Sequence, residues 1–268
     1  MSGFLKTAAA IIVRVKSYLV YDSGIGGAWF SLELLRRKKA HRVVFYADTL
    51  NFPLGLKSET ELYNILDRFF SYASVTSTKP GEVFDGIFLA CNTISSVYLR
   101  YWPVFKKKVP FPIVHTYAYH NGLIGLPKPL ILATEATVRA RIYTYFTAGR
   151  GVEMAATDLI EALQQDDTQR AMGLVKQTAT FARKERFSHV VLGCTHLSEV
   201  AELFEEEGLP VYDPLAQILG NLKLDNDEGF GANTQQLILH ATGDYGDVVN
   251  YVRRKAALLP EEVLLDAD

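Results

Sequence analysis

Phe84-Asp85-Gly86-Ile87-Phe88-Leu89-Ala90-Cys91-Asn92-Thr93 decides the fold, because the pattern returns as Phe187-Ser188-His189-Val190-Val191-Leu192-Gly193-Cys194-Thr195-His196. A constant offset of 103 residues relates the two segments, and it also pairs Ser95 with Ser198 and Val97 with Val200. Each copy reads as a short apolar strand, a small residue, a cysteine, two hydrogen-bonding side chains and the start of a helix. The chain has two cysteines in all, and both occupy the same place in the repeat. An isolated cysteine is more often a small buried hydrophobe than a reactive group, but chance rarely places a pair in this way.

Outward from the repeat, apolar runs at 42–47, 86–90, 130–133 and 189–193 predict strands buried on both faces. Amphipathic stretches between them predict helices at 28–39, 138–146, 169–183, 199–207 and 247–256. Another helix begins at Ser58-Glu59-Thr60-Glu61, which fits a capping box, and continues as an apolar stripe of Leu62, Ile65, Leu66, Phe69 and Phe70. It lies between two strands, as a βαβ crossover requires. The expectation is an α/β protein with parallel sheets. No low-complexity linker divides it. The stretch 109–129, interrupted by Pro110, Pro112, Pro127 and Pro129, is the best boundary. A second crossing at 220–231 would return the last strand and helix to the first unit.

With 268 residues, 49% of them hydrophobic and 22% charged, the chain can bury a core and is neither disordered nor low-complexity. Its 28 Lys and Arg against 30 Asp and Glu leave a net charge of −2, so no basic field points to nucleic acid. The most apolar N-terminal stretch, 8–13, is broken by Arg14 and Lys16. It falls far short of the ~20 residues that span a bilayer and below the ~7–15 of a secretory signal. Two cysteines make no disulfide framework. The expected compartment is the reducing cytoplasm, where a retained thiol is usually catalytic or metal-binding.

A cysteine at which a parallel strand hands over to a helix sits at the carboxyl edge of the sheet, where open α/β folds bind ligands. The helix N-terminus binds carboxylates and is expected to lower a thiol's pKa from ~8.5. Two such units facing each other would set two thiols about one anionic ligand. That geometry suits inversion at a stereocentre: one thiolate removes the α-proton and the opposite thiol delivers a proton to the other face. An amino-acid α-proton is far less acidic than a thiol. The carbanionic charge therefore needs preorganised N–H and hydroxyl donors in a closed, water-poor cleft, which predicts motion on binding.

Asp22-Ser23-Gly24-Ile25-Gly26-Gly27, Ala90-Cys91-Asn92-Thr93 and Leu192-Gly193-Cys194-Thr195-His196 resemble the three signature motifs of glutamate racemases, members of the cofactor-independent aspartate/glutamate racemase superfamily. Weaker matches follow in the family's order: Tyr46-Ala47-Asp48-Thr49 leading to Pro53-Leu54-Gly55, Ala133-Thr134 with Thr137-Val138, and Thr242-Gly243-Asp244. The resemblance covers nearly the whole chain after about Tyr18. It implies two pseudo-symmetric domains, 14–113 completed by 222–268 and 114–221, each a mainly parallel sheet flanked by helices, with the active site in the cleft between them. It implies Cys91 and Cys194 as the catalytic cysteines, one for each enantiomer, and His196 as the aid to the second. Asp22 and Ser23 would sit by the amino group and the first cysteine. Asn92, Thr93 and Thr195 would bind the amino and carboxylate groups, with Leu54, Gly55 and Thr137 also at the substrate. The motif's glycines would let the backbone turn tightly above the sheet. The implied substrate is glutamate, without cofactor, metal or membrane, and the implied product is D-glutamate for peptidoglycan and so for cell shape. Family members differ in how they dimerise, and a homodimer is compatible with the resemblance.

The chain departs from the family where Leu54 replaces a usual tyrosine, where Leu197-Ser198 replaces a usual Tyr-Pro, and where bulky Ala28-Trp29-Phe30 follows the first motif. None removes a proton-transfer group; they bear on rate and specificity. The stretch before Val20 is longer than expected and has no assigned role. A phosphate loop is excluded because no Gly-Lys-Ser/Thr follows Asp22-Ser23-Gly24. Zinc would lack a fourth ligand beside Cys91, Cys194 and His196, and a cysteine hydrolase leaves the second cysteine unexplained. His115, His120 and His240 receive no role, and Lys106-Lys107-Lys108 and Glu205-Glu206-Glu207 read as solvated surface. Two alternatives stay open: a racemase of aspartate or another amino acid, and a catalytically silent relative that binds a small molecule or a protein.

Overall fold

A computed structural model describes residues 16–79, 82–222, 235–256 and 264–267. The apolar stretch 8–13 and most of the crossing at 220–231 lie outside the described residues. The strands are β1 (Ser17–Asp22), β2 (Arg42–Ala47), β3 (Gly86–Leu89), β4 (Ile113–His115), β5 (Pro129–Ala133), β6 (Val152–Ala155), β7 (His189–Gly193), β8 (Val211–Tyr212), β9 (Gln236–Ala241) and β10 (Leu264–Ala267). They assemble into a six-stranded sheet of order β10-β9-β2-β1-β3-β4 and a four-stranded sheet of order β6-β5-β7-β8. Every pairing is parallel. The carboxyl ends of the strands in each sheet therefore share one edge, and β9 returns late in the chain to pair with β2.

The α/β class and the buried strands agree with the apolar runs. β2, β3, β5 and β7 are almost wholly buried, as expected of parallel strands covered on both faces. The Ser58 capping box is formed: its hydroxyl accepts from the Glu61 N–H while the Glu61 carboxylate accepts from the Ser58 N–H at 2.8 Å. The helix it starts, α2 (Glu59–Thr76), lays Leu62, Ile65, Leu66, Phe69 and Phe70 on one face of the larger sheet against Tyr21, Tyr46, Ile87 and Leu89. The opposite face carries α1 (Ile25–Arg36) and the helices Pro214–Asn221 and Gly246–Ala256. On the smaller sheet the helices Thr157–Gln164 and Thr168–Lys184 cover Leu130, Leu132, Val190 and Leu192. Tyr117, Tyr143 and Tyr212 fill its other side around Ile131 and Val191.

Three helices differ from expectation. The helix expected at 28–39 begins three residues earlier, at Ile25, because a side chain ahead of it captures the Gly27 N–H. The expected helix 138–146 is two, Glu135–Ala140 and Ile142–Phe146, since Arg141 takes a left-handed conformation at φ 52° and ends the first. The expected helix 199–207 starts instead as a 3-10 stretch, Thr195–Val200, directly after the second cysteine, and becomes α-helical over Ala201–Glu206.

The packing of the α2 layer is testable. Phe69 is fully buried, its ring 4.7 Å from that of Tyr21 and 5.3 Å from that of Tyr46. Phe69→Ala is expected to destabilise the fold by about 3–5 kcal/mol in urea unfolding, through lost burial and the cavity left behind.

Candidate active site

The carboxyl edges of the two sheets meet at one cavity of about 300 Å³. Much of its lining comes from the carboxyl ends of successive strands: Asp22 ends β1 and Ser23 follows it, with Cys91 to Thr93 after β3, Thr134 and Glu135 after β5, Thr157 after β6, and Cys194 to His196 after β7. Parallel topology explains this gathering, since each strand delivers the next residues to the same rim. β5 and β7 are in register with Ala133 opposite Gly193, so Thr134 and Cys194 emerge side by side.

Asp22 is sealed from solvent, and among the described residues no Lys or Arg lines the cavity. Its Oδ2 accepts from the Gly27 N–H at 2.7 Å and from the Thr195 hydroxyl at 3.1 Å, and the carboxyl also bonds with the Cys91 thiol. Burial raises its pKa from 3.8 to about 7, outweighing these donors and the Ser23 N–H, which favour the anion. Cys91 heads α3 (Asn92–Arg100) and Cys194 heads the 3-10 stretch. The Ile94 N–H favours the Cys91 thiolate, and the His196 and Thr195 N–H groups favour that of Cys194. The expectation that a helix N-terminus would bring these thiols below their usual pKa is corrected here. Burial dominates: it holds Cys91 well above the ordinary thiol range, with the Asp22 charge adding to it, and raises Cys194 to about 12. Cys194 Sγ lies 3.8 Å from His196 Nδ1. Burial also keeps that imidazole neutral, with a pKa of about 4.

Asn92 donates through Nδ2 to the Tyr143 hydroxyl, and its main-chain carbonyl accepts from the Tyr117 hydroxyl at 3.0 Å. Its buried Oδ1 has no hydrogen-bond partner among the described residues and can accept from an ammonium group. Thr93 and Thr134 share a hydroxyl hydrogen bond of 2.9 Å across the sheets. Thr137 is fully buried behind them, 3.0 Å from Thr134 Oγ1, so Thr134 stands at the wall where Thr137 was expected. Leu54 and Gly55 line the cavity with Phe52, Pro53 and Leu56, and a Cβ at Gly55 would come within 2.8 Å of Thr134 Cβ. The motif around Asp48 meets the one around Thr242: Asp48 accepts from Tyr21 Oη and Thr242 Oγ1, and Thr49 Oγ1 accepts from the Gly243 N–H. These bonds fix the base of the Leu54 loop.

The glycines of the first motif do not serve a tight turn; none has a left-handed φ. They permit close approach. A Cβ on Gly24 would strike the His196 ring, one on Gly26 would strike Thr195, and one on Gly27 would strike Asp22 and Phe45. Sequence reading also missed Thr134, Glu135, Thr157, Ile160, Glu161 and Gln165, all at the wall. Thr134 and Glu135 could have been found by taking the first residues after every buried strand; Thr157 follows β6, which is only partly buried and leaves no such signal. Among the described residues no three His, Cys, Asp or Glu side chains group as a metal site would require.

No protein-family model matches the chain. Among curated proteins, the glutamate racemase of Desulforudis audaxviator is 28% identical over 231 residues, covering 80% of this chain and 81% of the relative. Among solved structures, glutamate racemase isoform RacE1 of Bacillus anthracis superposes with a TM-score of 0.71 at 19% identity, covering 94% of this chain and 97% of that one. The glutamate racemase of Francisella tularensis, solved in complex with D-glutamate, gives 0.71 at 16% identity, with 94% and 96% covered. The two structures share the fold described above.

The raised pKa of Asp22 has a sign that can be measured. The folded state keeps a proton that the unfolded state loses above about 3.8, so the associated stability is complete at low pH and is lost as pH rises through about 7. Asp22→Asn removes this dependence while keeping an acceptor for the Gly27 N–H. The melting temperature of the variant relative to the parent should therefore rise from pH 4 to pH 8, by an amount reflecting a few kcal/mol. Thermal melts at the two pH values check it.

Proposed function

We propose that the chain is a cofactor-independent amino-acid racemase that interconverts L- and D-glutamate by two-base proton transfer at Cα. One arrangement carries this reading: two buried thiols, one from each sheet, face a single cavity, and each has its own proton-accepting partner. The Asp22 carboxyl serves Cys91 and the His196 Nδ1 serves Cys194. Sequence similarity to a glutamate racemase along four fifths of the chain supports the choice of substrate.

The chemistry follows from the placement. With Cys194 as thiolate, its sulfur takes the α-proton from one face of the substrate, and the Cys91 thiol gives its proton to the other face. The enzyme is left with Cys194 protonated and Cys91 as thiolate, ready for the opposite conversion. Asn92 Oδ1, Ser23 and the Asp22 carboxylate receive the substrate ammonium, while Thr93, Thr195 and the N–H groups after β3 and β7 receive carboxylate charge. Arrival of an ammonium beside Asp22 favours its anion, which in turn can accept the Cys91 proton. Leu54 and Gly55 close the cavity over the side chain of the substrate. The six-stranded sheet, with the helix Pro214–Asn221 packed on it, belongs to one half of the described molecule and the four-stranded sheet to the other. In the cell the activity would sit in the cytoplasm and supply D-glutamate for peptidoglycan.

The test is exchange in D₂O. Purified protein without added cofactor should incorporate deuterium at Cα of L-glutamate and abolish its optical rotation, and leave L-aspartate unchanged. Cys91→Ala and Cys194→Ala should each lose inversion by about 10²–10⁴-fold with an unchanged circular dichroism spectrum. Undiminished turnover in either variant would defeat the two-base mechanism, and inversion of aspartate alone would move the specificity.

A further inference from the structure

His196 Nε2 lies 2.8 Å from Gln164 Oε1, and neither partner belongs to the sequence motif of the other. Gln164 ends the helix Thr157–Gln164, which packs on the smaller sheet. Its amide orientation is fixed from two sides. The Ile25 N–H, at the start of α1, can only donate, and it points to Oε1 at 3.4 Å. The Asp247 carboxylate can only accept, and it lies 3.4 Å from Nε2. Oε1 therefore faces the imidazole as an acceptor, which requires the His196 proton on Nε2 and leaves the Nδ1 lone pair bare toward Cys194 Sγ at 3.8 Å. Gly24 supplies an independent observation. A Cβ there would come within 2.7 Å of Gln164 Oε1 and 2.8 Å of His196 Nε2, so the first glycine of the motif is the space this hydrogen bond occupies.

We propose that Gln164 is a positioning residue that fixes the His196 tautomer and so makes Nδ1 the acceptor for the Cys194 proton. Because Gln164 is itself held by Ile25 of α1 and by Asp247 of the helix Gly246–Ala256, both packed on the larger sheet, the tautomer is set only when the two halves are together. In the opened molecule the imidazole loses this constraint. Proton acceptance from Cys194 is thereby confined to the closed state. The role in turnover rests on the racemase reading; the tautomer and the thiol reactivity do not.

The experiment uses the full chain without substrate. Gln164→Met keeps the side-chain length and deletes the acceptor; Gln164→Glu keeps an acceptor at the same reach. In the parent, ¹⁵N spectra of the histidine rings should show His196 as a single Nε2–H tautomer, and in Gln164→Met the two ring shifts should converge. Alkylation of Cys194 by iodoacetamide, followed by peptide mass spectrometry, should slow roughly tenfold in Gln164→Met while Cys91 reacts as before, and Gln164→Glu should restore most of the rate. A parent His196 in the Nδ1–H form, or Cys194 reactivity unchanged in Gln164→Met, would overturn the proposal. Loss of reactivity at both cysteines alike would also overturn it, since that marks a general structural effect. If glutamate is not racemised but the tautomer and the Cys194 rate respond as stated, the substrate assignment fails and the positioning role stands.

Discussion

A carboxyl group buried without a cation beside it is the constraint on which this molecule is organised. Asp22 has to be satisfied by neutral donors, and each donor fixes a piece of the structure. The Gly27 N–H sets where α1 begins, and the closeness of Asp22 and Phe45 leaves no room for a Cβ at that position. The Thr195 hydroxyl comes from the other sheet and draws the two halves together at the cavity. The Cys91 thiol completes the set, and its proton is the one the proposed racemisation transfers. Burial that would be a liability elsewhere here keeps the carboxyl titrating near neutrality, where a group can both hold and release a proton.

The two halves repeat a pattern without being chemically equivalent. Cys91 leads into a regular helix and answers to a carboxyl; Cys194 leads into a 3-10 stretch and answers to an imidazole. The imidazole can be neutral and still accept a proton, whereas the carboxyl accepts only as the anion. In the proposed racemisation the charge the site must tolerate therefore differs between the two directions, although the overall chemistry would be a mirror operation.

Much of this was legible in the sequence. The repeat around Cys91 and Cys194, the apolar runs and the Ser58 capping box each carry a local signal, and strands and helix formed where the pattern put them. β1 was not singled out, because its run of Ser17, Tyr18 and Tyr21 ends on Asp22 and lacks the plain aliphatic signature. The two-residue β8 is too short to leave any periodicity. Arg141 broke a helix that its neighbours would have continued, a conformation no residue preference announces. At the site, motif residues were readable and their partners were not. Gln164 reaches His196 from 32 positions away and Ile25 from 139, and such contacts have no imprint in local pattern. The glycines were noticed for the wrong property: what matters is the volume they leave to Thr195, His196 and Phe45, not the angles they adopt.

Two of the hydrogen bonds that join the halves, Thr195 to Asp22 and Thr93 to Thr134, lie at the wall of the cavity. A molecule bound there becomes part of the joint. Its affinity and the resilience of the whole protein are then one free-energy balance, so a saturated enzyme resists heat and proteases better than an empty one in proportion to the logarithm of ligand concentration over the dissociation constant. The abundance of such a protein in a cell would track its substrate pool, even with synthesis held constant.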